Sequence, residues 1–222
     1  MHLRRNEERT GPIPNPWDQD ETQRGPLWPA PELTEFEVEA GRREYTGPMA
    51  TFTSVPVEEY LRTFYDPDRE YVDGQLVERH VGEYFHSLLQ SLIAMTLGLR
   101  VRKGRFRVFT ELRVKVSDEP RYRIPDICVK ALPHEITPIL LQPDLVIEVV
   151  SPDDEVAEML TKIGDYLAAG IPYIWVVDPY KRTLAEADAA GIRRPPTQVL
   201  ATPLVGEIDF ASLFQQLDEP TQ

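Results

Sequence analysis

The run LVIEVVSPDD, residues 145–154, carries one acid, Glu148, among aliphatic residues. LVI and VV read as a strand covered on both faces, of the kind found in the interior of an α/β sheet. An ionised carboxylate there costs several kcal/mol or more unless it is paired, protonated or bound to a metal. Its partner decides what chemistry the strand can do.

Two other acids follow a proline in a PD pair: Asp126 in RIPDICVK and Asp144 in QPDLVIE. A hard cation such as Mg²⁺ takes oxygen ligands at about 2.0–2.1 Å, so acids that share one must lie close together. Asp144 stands in the same strand as Glu148. Four residues at about 3.3 Å each put their Cα atoms roughly 13 Å apart, which excludes it. Asp126 belongs to the preceding strand and lies beside Glu148 if the two strands pair. On the segment that follows, Glu158, Lys162 and Tyr166 are spaced i, i+4, i+8 and form one helical stripe. From there Lys162 can bring its ammonium near Glu148. A plain Glu148–Lys162 ion pair would satisfy both groups without chemistry, but Asp126 adds a second negative charge that one lysine does not balance. Tyr166 and Trp175 read as packing residues.

The whole chain bounds these readings. Its 222 residues, 41% hydrophobic and 27% charged, suit one domain with a real core plus an extension. The start has no signal-peptide pattern, and no stretch approaches the roughly 18 apolar residues of a membrane span. A soluble, cytoplasmic protein is expected. The single cysteine, Cys128, excludes an internal disulfide framework and a cysteine-built zinc site, and in ICV it reads as core. A net charge of −13 argues against holding polyanions by bulk electrostatics. Residues 100–130 run the other way, with ten basic residues against four acidic ones. They form either the solvated face of two amphipathic strands or a phosphate-facing patch.

Residues 1–48 hold seven prolines and little periodicity, an extended or disordered arm that Trp17 and Trp28 could anchor. The domain then occupies 49–222. SVPVEEYLRTF reads as a short helix with Pro56 at its first position, and REYVDGQLVER as a hairpin turning at Asp73-Gly74. A long amphipathic helix follows, with Phe85, Leu88, Leu89, Leu92, Ile93 and Leu97 at helical spacing. RFRVFTELRVKV alternates like one strand, RYRIPDICVKA is shorter, and PDLVIEVVS is the most apolar. The next helix has Ser151 as N-cap, Pro152 at its first position and Gly170 as its stop. IPYIWVVDP is another buried strand, RTLAEADA an edge strand or hairpin half, and IDFASLFQQL a closing helix. This order predicts an α/β fold, a mixed sheet flanked by helices, with a crossover joining the strands of Glu148 and Val176.

EYVDG, a histidine in the long helix, RIPD, and PDLVIEVVSP followed by an acid, Lys162, Tyr166, Gly170 and YIWVVDP together resemble the Uma2 family. That family is assigned to the PD-(D/E)XK nuclease-like superfamily, with a restriction-endonuclease-like core. The likeness runs from residue 51 to 214. It implies a metal-dependent endonuclease acting on nucleic acid, DNA in the first instance, with Mg²⁺ as cofactor and Mn²⁺ able to substitute. Asp126 would match the PD acid and Glu148 the second acid, the two holding the metal with the backbone carbonyl of Val149. The lysine usually found two residues after the second acid is replaced by Val150, and Lys162 would be that lysine migrated to the helix. Glu158 stands where the family usually has Asp. His86 matches the helix histidine and Glu70 the acid before the D-G turn, both as supporting positions. A homodimer is the assembly carried with this reading. The alternatives are a non-catalytic binding or structural module on the same fold and an enzyme acting on another phosphate ester.

Overall fold

A computed structural model of the chain describes residues 54–79, 82–101 and 104–218. The arm expected over 1–48 lies outside them. The elements in order are α1 (Val57–Arg62), β1 (Arg69–Val72), β2 (Gln75–Glu78), α2 (Tyr84–Val101), β3 (Phe106–Thr110), β4 (Val114–Lys115), β5 (Tyr122–Arg123) and β6 (Ile127–Ala131). They continue with β7 (Leu140–Leu141), β8 (Leu145–Val149), α3 (Val156–Ala168), β9 (Ile174–Asp178), β10 (Thr183–Asp188), β11 (Gly191–Arg193), β12 (Val199–Thr202), β13 (Gly206–Asp209) and α4 (Phe210–Leu217).

The fold is α/β, with mixed sheets flanked by helices. The larger sheet has the order β11-β10-β9-β8-β6-β3, and a smaller one the order β2-β1-β5-β4-β7. Only β8 and β9 run parallel within the larger sheet, joined by α3 as the crossover. Strand alternation divides β8 between two faces. Leu145, Ile147 and Val149 join a core with Leu89, Ile93 and Leu97 of α2, Trp175 and Val177 of β9, and Phe210 and Phe214 of α4. Val146 and Glu148 point to the other face, where α3 lies. The smaller sheet carries its own cluster of Tyr60, Tyr71 and Tyr122, with the Arg113 guanidinium 4.5 Å from the Tyr60 ring centre. Among the described residues no helix is long and apolar enough to cross a membrane.

Punctuation of the chain follows its turn chemistry. Asp73 and Gly74 both take positive φ (52° and 83°), which a two-residue hairpin turn of right-handed twist requires. Gly170, at φ 76°, ends α3, where the Ile171 N–H returns to the Tyr166 carbonyl. Three expectations fail. RYRIPDICVKA, read as one shorter strand, is divided between β5 of the smaller sheet and β6 of the larger, with residues 124–126 between them. RFRVFTELRVKV is not one strand: Glu111 takes φ 53° and diverts the chain, so that β3 lies in the larger sheet and β4 in the smaller. Ser151 and Pro152 do not open α3. The Asp154 carboxylate accepts the Ser151 N–H at 2.7 Å and the Asp154 N–H returns to the Ser151 carbonyl, closing a separate turn before Val156.

Most of the basic segment serves the fold. Arg100 and Arg105 donate to the carbonyls of Val205 and Pro203, and Arg113 to that of Thr63. Arg121 pairs with Asp73 and Asp165, and Arg123 with Glu70 and Asp165. Lys130 donates to the Gln142 carbonyl. These cations hold distant parts of the chain together and do not form one free face.

Candidate active site

Glu148 meets Asp126 across the β6–β8 ladder. The antiparallel register pairs Ile127 with Ile147, so the next pair outward is Asp126 with Glu148. Both line one cavity together with Glu70, Arg79, His86 and Lys162. Asp144 lies at the opposite end of β8, where it caps the Ala131 N–H at 2.7 Å and plays no part in the cavity.

The proline of the PD pair has a local consequence. Val146 and Val150 turn their N–H groups towards β9, so the Val149 peptide groups face β6. Extending the register places Pro125 opposite Val149, and proline has no N–H to donate to the Val149 carbonyl. The Val149 N–H instead donates to Asp126 Oδ2 at 2.7 Å. The PD pair thus fixes the carboxylate and leaves a strand carbonyl directed at the same place.

Asp126 is 2% exposed and heavily bonded. Its Oδ1 accepts from Arg79 at 2.6 Å, and His86 Nε2 lies 3.3 Å from Oδ2. Gln90, one turn after His86 on α2, donates to the Asp126 carbonyl at 3.1 Å. Burial alone would raise the Asp126 pKa. The hydrogen bond and charge of His86, with Arg79 and the Val149 N–H, instead hold it below the usual carboxylate range. His86 responds in the opposite sense: burial disfavours its charged form, but Asp126 outweighs burial and raises its pKa.

Glu148, also 2% exposed, has a different environment. Its Oε1 accepts from the Tyr166 hydroxyl at 2.5 Å, and Lys162 Nζ stands 3.9 Å from Oε2. That second distance is too long for a hydrogen bond, so the ammonium keeps its donors for other groups. Burial, reinforced by Asp126 and Glu70, pushes Glu148 up to about 7 against the opposing pull of Lys162 and Tyr166. Lys162 is itself raised: burial would lower it, but Glu148, Glu70, Asp126 and Asp154 prevail.

Glu70, 1% exposed, accepts from Arg123 at 2.7 Å and from the Ile124 N–H at 3.0 Å. It anchors the hairpin to the stretch that leads into Asp126. Glu158 lines the cavity from α3.

The structure thus brings Asp126, Glu148, Lys162, His86 and Glu70 together and leaves Asp144 out. Two expectations change. Tyr166 is more than packing, because its hydroxyl holds Glu148. Nor must Lys162 alone balance two acids, because Arg79 sits on Asp126. Sequence reasoning missed Arg79: it directly follows β2, and its partner is 47 residues away.

A hard divalent cation fits the donor chemistry, since two carboxylates and the Val149 carbonyl converge on one cavity. Among the described residues no three histidine, cysteine or acidic side chains form a cage. Such an ion would therefore rely on two carboxylates, one carbonyl and water, the mixed shell that suits Mg²⁺. The His86 contact to Asp126 would then orient a ligand from behind.

Comparison with known proteins bears on the family and the fold. A crystal structure from Anabaena variabilis ATCC 29413, described as a "putative nuclease belonging to DUF820", superposes with a TM-score of 0.64 at 25% identity, covering 73% of this chain and 99% of that one. No curated protein matches. The Uma2 family, described as "Putative restriction endonuclease", matches residues 57–199, which include every residue of the cavity. The chain belongs to the Uma2 family.

Proposed function

We propose that this domain is a nuclease that hydrolyses phosphodiester bonds in nucleic acid, DNA in the first instance, with Mg²⁺ or Mn²⁺ held by Asp126, Glu148 and the Val149 carbonyl. One observation carries the reading. Two buried acids, Glu148 in β8 and Asp126 directly before β6, meet over a cavity that the half-buried Lys162 also enters. Bound there, the ion would supply charge neutralisation at the scissile phosphate and activation of a water. Lys162, whose donors Glu148 does not take up, would orient that water or stabilise charge developing on the phosphate. Tyr166 holds Glu148 Oε1 and so fixes the direction of the other oxygen. His86 and Glu70 are supporting residues that position Asp126 and the hairpin. A cytoplasmic setting and a homodimer belong to the same proposal.

A non-catalytic module on this fold is the second reading. The observation in its favour is that both Asp126 oxygens are already engaged by protein groups.

The test is a cleavage assay with Mg²⁺ and Mn²⁺ on single- and double-stranded DNA and RNA. Wild type should cleave, Glu148→Gln should fall to background, and Lys162→Met should lose at least about 100-fold. A wild type that cleaves none of the substrates and gives no heat with Mn²⁺ in calorimetry would establish the module.

A further inference from the structure

Arg79 is the one cation bonded to Asp126 that has somewhere else to go. Of the groups on that carboxylate, the Val149 N–H is fixed within a buried strand and His86 is held in α2, 7% exposed. Arg79 directly follows β2, its backbone tied to the Asp68 carbonyl, and its side chain is 13% exposed. Its Nη2 lies 2.6 Å from Asp126 Oδ1, while its Nη1 lies 3.6 Å from the half-exposed Glu111. The guanidinium thus spans two acceptors, one deep and one near the surface, at the wall of the cavity.

A divalent ion on Asp126 would place a second positive charge beside that guanidinium. Two cations on one carboxylate repel strongly where solvent is scarce. The ion cannot displace a strand amide, and Arg79 has an alternative acceptor within reach. Arg79 therefore yields. Arg79 itself lines the cavity, so a guanidinium freed from Asp126 stays at the cavity wall, and its planar fork matches the paired oxygens of a phosphate.

We propose that Arg79 is a further substrate-binding residue of this site, a cation that exchanges partners. It competes with the divalent ion for Asp126 and, when displaced, binds a non-bridging oxygen of the incoming phosphodiester. The assignment rests on the nuclease reading above. It accounts for a buried acid with two cationic neighbours, and it makes ion loading and phosphate capture one event.

The experiment compares wild type, Arg79→Met and Arg79→Lys by two measurements that need no turnover. Mn²⁺ affinity is read by calorimetry. Affinity for a short fluorescein-labelled DNA, single-stranded and duplex, is read by anisotropy in Ca²⁺. Losing one charge-assisted hydrogen bond corresponds to about tenfold or more in affinity. Arg79→Met should therefore bind Mn²⁺ about tenfold more tightly and the DNA about tenfold more weakly, with changes of opposite sign. Arg79→Lys, which keeps the charge without the fork, should fall between them on both scales, and it carries the test if the methionine variant does not fold. Changes of the same sign, or none, in a wild type that binds both ligands would overturn the Arg79 assignment alone. A wild type that binds neither Mn²⁺ nor DNA would overturn the nuclease reading and this assignment with it.

Discussion

Glu148→Gln keeps the shape of the side chain and removes its charge, so it separates a strained buried acid from a satisfied ion pair. Burial, with Asp126 and Glu70 adding to it, takes the Glu148 carboxyl from an ordinary 4.5 to about 7. Such a group binds its proton more tightly in the folded chain than in the unfolded one. Its contribution to stability is fully present below the unfolded value and is lost as pH rises through the folded value. The window therefore runs from 4.5 to about 7. At about 1.4 kcal/mol per tenfold change in proton affinity, the loss across it is on the order of 3 kcal/mol. Lys162 stays protonated throughout, because the surrounding carboxylates hold its pKa above the usual lysine range. Groups that titrate alike in both proteins cancel from the difference. The glutamine variant should accordingly gain about 3 kcal/mol relative to wild type as pH rises through this window. The assay is urea denaturation of both proteins in EDTA, at pH steps from below 4.5 to above 7. Parallel stability curves would refute the strained acid. A wild type that instead gains on the variant as pH rises would show that pairing with Lys162 outweighs burial, and the site would be an ordinary ion pair.

Two further expectations concern the scaffold. Arg123→Met takes from the buried Glu70 its ion-pair partner and from the buried Asp165 one of two, so it should cost about 3–5 kcal/mol and lower Tm by on the order of 10 °C, read by calorimetry. An unchanged Tm would show that the network is replaceable. Deleting residues 1–48 should leave Tm within a few degrees, because proline removes backbone donors and the segment offers little apolar area to bury. A large drop in the same scan would make the arm part of the domain.

The legible parts of the chain were those where short-range pattern and energetics coincide. Glu148 stood out because a charge among aliphatic residues is costly anywhere, and the elimination of Asp144 needed only the rise of a strand. Asp73-Gly74 and Gly170 declared their turns through backbone freedom. What escaped depended on partners distant in sequence. Nothing near Arg79 marks it as the counter-ion of Asp126. Nothing within residues 100–130 reveals that Arg121 and Arg123 are spent on Asp73, Asp165 and Glu70. The break at Glu111 was hidden because side-chain alternation continues through a residue whose backbone has already left the strand. Ser151 was misread because a good capping residue was captured by Asp154 three positions on.

The route of the chain between the larger sheet and the five-stranded one bears on when the site can exist at all. Arg123 ends a strand of the smaller sheet and Ile127 begins one of the larger, so Asp126 lies on the short bridge between them. Glu148 comes from the larger sheet, Glu70 and Arg79 from the hairpin of the smaller, His86 from α2 and Lys162 from α3. No single element contains the set. The cavity acts as a checkpoint on complete folding: a nascent or partly opened chain holds isolated acids, and these become a site only when both sheets have closed around the bridge.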